Sequence, residues 1–105
     1  MIVTAWNNGK HHSNGAGYGF KLKARDRDRH ILKNWKHITV VLPNGVKVVP
    51  NIDKRSFWSD TCREIIDAEF GKWLITKKLA PWPKGQPPKF RLTKTGNQQF
   101  RLEGI

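Results

Sequence analysis

One stretch of this 105-residue chain carries a helical period, and everything else must be arranged around it: Ser59 to about Lys78. Thr61-Cys62-Arg63-Glu64 fits the S/T-x-x-E capping box, in which a hydroxyl and a carboxylate each satisfy a free N–H of a helix's first turn. Turning the residues by about 100° each gathers Cys62, Ile65, Ile66, Phe70, Trp73 and Leu74 into an arc roughly 180° wide. Asp60, Glu64 and Asp67 fall toward the positive end of this helix and Lys72, Lys77 and Lys78 toward its negative end, as the helix dipole favours. Glu69 is the one carboxylate within the arc and belongs at its rim.

The flanking segments alternate or turn. Ile2 to Trp6 reads as a short strand, and Asn7 to Asn14 as a loop of turn-formers. Phe20, Leu22 and Ala24 alternate with Lys21, Lys23 and Arg25, which predicts a half-buried strand with a cationic outer face. Carried further, that strand would turn Asp26 and Asp28 toward the core, where an unpaired carboxylate is costly. The strand is therefore expected to end near Arg25, with Arg25 to Asn34 an exposed charged connection. His37 to Val49 predicts a hairpin turning at Leu42-Pro43-Asn44-Gly45, with Gly45 left-handed. Its strands have almost no polar face, which predicts a central position covered on both sides. Pro81 to Pro88 is a stiff extended linker, and Phe90, Leu92, Phe100 and Leu102 outline a closing hairpin about Thr95-Gly96-Asn97.

This order predicts a single α+β domain over residues 1–105. Its antiparallel sheet, or small open OB-like barrel, of about five to six strands packs against the one long amphipathic helix, 59–78. The lone cysteine, Cys62, excludes an internal disulfide. With no apolar run of the ~20 residues that span a bilayer, the expectation is a cytoplasmic protein without a membrane span.

Charge carries the functional expectation. Twenty Lys and Arg against eight Asp and Glu give +12, an electrostatic footprint suited to polyanions. Residues 1–50 hold nine positive and two negative side chains, 51–70 three and five, and 71–105 eight and one, so the acidic section coincides with the front of the helix. A non-enzymatic nucleic-acid-binding module is the first reading, with Lys21, Lys23, Arg25, Arg27, Arg29, Arg91 and Arg101 contacting phosphates. A basic surface with no specific partner is the bland alternative.

Gly17-Tyr18-Gly19-Phe20 fits the G-[FY]-[GA]-F centre of the RNP1 pattern of RNA-binding strands. With Val3 and Trp6-Asn7 ahead of it, the segment resembles the first two strands of cold-shock domains over about one fifth of the chain. Ala16 stands where RNP1 has Lys or Arg, and Lys21 and Lys23 where it has apolar and aromatic residues, so the chain is assigned to neither family. Tyr18 and Phe20 share the face of Leu22 and are expected in the core. The Gly15-x-Gly17-x-Gly19 run lacks the spacing of a phosphate-cradling loop, and no helix follows it to lend an N-terminus.

Adjacent His11 and His12 diverge, and Cys62 lies on another element, so neither a metal nor a cofactor is expected. Asp26 and Asp28 are interleaved with arginines that neutralise them. A small metal-independent ribonuclease or toxin-like nuclease drawing on His11, His12, Tyr18 and His30 is the second reading, since phosphodiester cleavage needs only a proton acceptor, a donor and nearby cations. A protein-interaction or homo-oligomerisation module is the third.

Overall fold

The alternation seen near both chain ends is realised in register. The computed structural model describes residues 1–105 as β1 (Ile2–Asn7), β2 (Tyr18–Lys21), α1 (Ala24–His30), β3 (Thr39–Val41), β4 (Lys47–Val48), β5 (Glu64–Ile66), α2 (Ala68–Thr76), β6 (Lys89–Gly96) and β7 (Gln99–Gly104). The strands form one sheet in the order β4-β3-β7-β6-β1-β2-β5. Side chains directly opposite across a ladder share a face. One face therefore reads Val48–Val40–Phe100, Leu102–Leu92, Phe90–Val3 and Ala5–Phe20–Ile65 across paired positions. Every one of these side chains is buried in a single core.

Phe70, Trp73 and Leu74 of α2 cover this face, joined by Ile31, Ile38, Ile52 and Phe57 from the connecting segments. Each fully buried Phe, Leu or Ile contributes about 1.5–3 kcal/mol relative to exposure. Phe70 meets Phe20 and Trp73 meets Phe90 edge to face, with centroids 5.0 and 5.4 Å apart, so α2 is locked over β2 and β6.

The long helix expected over 59–78 does not form. Only Ala68–Thr76 is helical, and its N-cap is Asp67, whose carboxylate accepts from Glu69 N at 2.9 Å. The S/T-x-x-E box is not a cap: Arg63 has φ 66, and Glu64–Ile66 extends as an edge strand on β2. The β-branched Ile65 and Ile66 favour that state, and Gly19 opposite them permits it. A Cβ on Gly19 would run into the Ile65 carbonyl, so β5 can approach only because no side chain stands there.

Three further expectations are corrected. The sheet is mixed, because β3 runs parallel to β7, and it is open with seven strands, which excludes the OB-like barrel and the purely antiparallel sheet of five to six. The 37–49 hairpin is not central: β4 is an edge, leaving Val46 and Val49 38% and 53% exposed. Its turn is as read, with Gly45 N donating to Leu42 O at 2.8 Å and Gly45 at φ 88. The strand expected to run to Arg25 ends at Lys21, and most of the charged connection expected over Arg25–Asn34 folds into α1, because Arg27 is anchored in the protein and Ile31 enters the core. No helix is long and apolar enough to cross a membrane.

Candidate nucleic-acid interface

The second face of the sheet has no covering layer of core residues. Its positions are the alternates of the buried ones: Lys47 on β4, Val41 on β3, Arg101 and Glu103 on β7, Lys89, Arg91 and Thr93 on β6, Ile2, Thr4 and Trp6 on β1, Lys21 on β2, and Glu64 and Ile66 on β5. Five are cationic and two acidic. The register sets the cations in a diagonal. Lys47 and Arg101 lie in the row of Val41 and Thr93, Arg91 lies two residues along β6, and Lys89 and Lys21 flank Thr4 in the next row. At the usual ~4.8 Å strand spacing this stripe runs about 25 Å.

Trp6 ends the stripe. It is half-buried and lies opposite Gly19, so no side chain on β2 shields that flank of the indole. The acids sit beside particular cations, Glu103 opposite Arg91 and Glu64 opposite Lys21, while Lys47, Lys89 and Arg101 have no acid across the ladder. The protein's ion pairs, Arg27–Asp28 and Lys72–Glu69, both lie elsewhere. Glu64 is 8% exposed and its Oε2 meets no hydrogen-bond donor, so it is the least solvated charge on this side of the sheet.

Of the residues expected to contact phosphates, Lys21, Arg91 and Arg101 share this face. Lys23 precedes α1, and Arg25 and Arg29, four residues apart on the helix, are exposed. Arg27 is different. It is 4% exposed, its Nη1 donates to Phe57 O at 2.9 Å and Ser59 O at 2.7 Å, and its Nε donates to Asp28 Oδ1 at 2.9 Å. Its guanidinium lies 5.3 Å from the Trp58 ring centroid. Arg27 is thus a structural strut that cannot meet a phosphate. Sequence reasoning missed Trp6, Lys47 and Lys89; the first is the end of an alternation already noted, Lys89 joins through the antiparallel β1–β6 pairing, and Lys47 only through the parallel β3–β7 pairing.

The histidines are not gathered. His11 alone finds a titratable partner, its Nδ1 lying 2.7 Å from the Tyr18 hydroxyl, and both rings meet Trp82 edge-on at 5.7 and 5.8 Å. Burial pushes the Tyr18 phenol above its usual range. No three His, Cys, Asp or Glu side chains converge as a metal site would require. Cys62 is half-buried in the loop before β5, with its sulfur 3.9 Å from the Thr61 hydroxyl. Glu69 pairs with Lys72 on its own helix at 3.2 Å. No family model, curated protein or solved structure matches the chain.

Proposed function

We propose that the protein binds single-stranded nucleic acid across the open face of its sheet. The supporting observation is the asymmetry of that sheet: one face carries the core, and the other carries a diagonal of five cations ending at Trp6. Lysine and arginine along such a stripe neutralise successive phosphates, while an indole offers a face on which any base can stack. A flat surface suits a strand whose bases are splayed, and the stripe is too shallow to follow a duplex groove. Lys23, Arg25 and Arg29 extend the positive charge beyond Lys21. The His11–Tyr18 pair takes no part in this binding: His11 lies on the loop between β1 and β2, and Tyr18 is buried in the core.

The test is titration of a labelled mixed-sequence single strand at several salt concentrations, with the matching duplex in parallel. The expected result is tighter binding of the single strand and a linear fall of log affinity with log salt. Absence of binding at low salt, or affinity indifferent to salt, overturns the reading.

A further inference from the structure

The layer that covers the sheet carries a feature unrelated to the open face: a hollow of about 420 Å³ bounded by Lys33, Asp53, Lys54, Arg55, Trp58 and Ser59. We infer that this hollow is a mononucleotide site, in which a nucleobase lies against Trp58 while its phosphate is held by Lys33, Lys54 and Arg55. The inference does not depend on the open-face reading.

Four observations lead to it. First, the three cations form no ion pair, although Asp53 shares the hollow, so their charge is available. Second, the aromatic wall is built in advance. Trp58 Nε1 donates to Ile52 O at 2.9 Å, the Phe57 ring meets the indole edge-on at 5.1 Å, and the clamped Arg27 guanidinium lies 5.3 Å from the ring centroid. Backbone bonds from Ile52 N and Asp53 N to Lys36 O at 3.0 and 3.2 Å hold the loop below. A wall with so little freedom loses little entropy when a ligand arrives.

Third, Lys33 Nζ stands 6.0 Å from the Trp58 ring centroid, so an anion drawn to Lys33 is brought over the indole. Charge and stacking surface thus converge on one point, which is the combination a nucleotide offers and neither a bare phosphate nor a neutral ring does. Fourth, the size fits: the volume falls in the ~300–1,000 Å³ range of small-molecule sites, and phosphate alone would leave most of it empty. The polar groups have distinct parts. Ser59 Oγ is already spent, donating to Ser56 O and accepting from Cys62 N, so it serves as wall. The Asp53 carboxylate makes no hydrogen bond or ion pair and is the acceptor that the amino group of a base requires.

The experiment is an NMR titration of the full chain with nucleoside 5′-monophosphates, the corresponding nucleosides and ribose 5-phosphate. It follows the indole N–H of Trp58, identified by its loss in Trp58→Phe. The expected result is a saturable shift of that resonance with the monophosphates. Affinity should be about tenfold or more weaker for nucleoside or ribose 5-phosphate, since stacking and charge are each then removed. Lys54→Glu with Arg55→Glu, the first half-buried and the second exposed, should weaken the monophosphate by a similar factor while the spectrum stays that of a folded protein. Lys89→Glu with Arg101→Glu, which disables only the open face, should leave it unchanged. Equal affinity for ribose 5-phosphate, no saturation, or loss in the Lys89/Arg101 variant in place of the Lys54/Arg55 variant overturns the inference. The open-face reading is judged separately, by oligonucleotide binding in the same two variants.

Discussion

Gly15 and Gly71 meet backbone to backbone, joining the loop between β1 and β2 to the middle of α2. A Cβ on Gly71 would collide with the carbonyl of Gly15, and one on Gly15 would collide with the carbonyl of Ala68 and the amide of Lys72. Gly15 also holds φ 86, where side chains are strained. Neither neighbour is a flexible side chain that could move aside. Gly71→Ala is therefore expected to destabilise the fold by about 1–3 kcal/mol, despite alanine's better helix propensity. Urea unfolding measures this, and a neutral or stabilising Gly71→Ala would show that helix and loop are not in contact.

Arg27 predicts a stability defect where the charge count alone would predict a binding defect. Arg27→Lys keeps the charge but loses the planar fork that serves Phe57 O, Ser59 O and Asp28 together. Leaving buried acceptors unmet costs about 1–3 kcal/mol each, so a fall of at least about 2 kcal/mol in unfolding free energy is expected. Oligonucleotide affinity of the folded fraction should be unaltered. A stable Arg27→Lys protein with weakened binding would place Arg27 at the interface instead.

On the open face the cations should be unequal. Lys89 and Arg101 have no acid opposite, whereas Glu103 faces Arg91. Lys89→Glu and Arg101→Glu should each flatten the log-log salt slope by roughly 0.7, the loss of one phosphate contact on a single strand, with a smaller effect for Arg91→Glu. Trp6→Ala should cost about 1–3 kcal/mol of binding with the slope unchanged, since stacking releases no counterions. Asp60→Ala, in the exposed loop before β5, should change nothing. If Asp60→Ala altered affinity and Lys89→Glu did not, the strand would bind on the covered side.

Local signals in the sequence reported local structure well. The alternation around Phe20, Phe90 and Phe100 and the turn at Gly45 need only neighbours to decide them, and the structure has them as read. What failed was a local signal overruled from a distance. Thr61 to Ile66 has both a capping box and a helical period, but β2, more than forty residues earlier, offers a strand partner, with Gly19 opposite Ile66 leaving nothing in the way. The true N-cap, Asp67, lies six residues beyond the apparent one, Thr61. The α1 segment reads as an exposed charged connection because a continued strand would bury Asp26 and Asp28; a helix instead places Arg27 opposite Arg25 and Arg29 and so buries one arginine of three. The interface was half visible. Lys21, Arg91 and Arg101 follow from alternation, whereas their alignment with Lys47 depends on a parallel pairing between strands far apart in sequence.

Tyr18 is the only tyrosine, so the ultraviolet absorbance of phenolate reports on this one group. Burial raises its folded-state value above the ordinary 10.0, and it is 1% exposed beneath His11 and Trp82. The sign follows from linkage. Above pH 10 the unfolded chain loses this proton before the folded one, so the folded state holds more protons and stability falls as pH rises. The contribution is complete below the ordinary value and is lost as pH climbs through the raised one. The absorbance of the native protein should therefore titrate later than that of the urea-unfolded chain. In Tyr18→Phe, the decline of unfolding free energy above pH 10 should be shallower than in the parent. Coincident native and unfolded titration curves would mean that the phenol is solvated and that the His11 loop does not close over it.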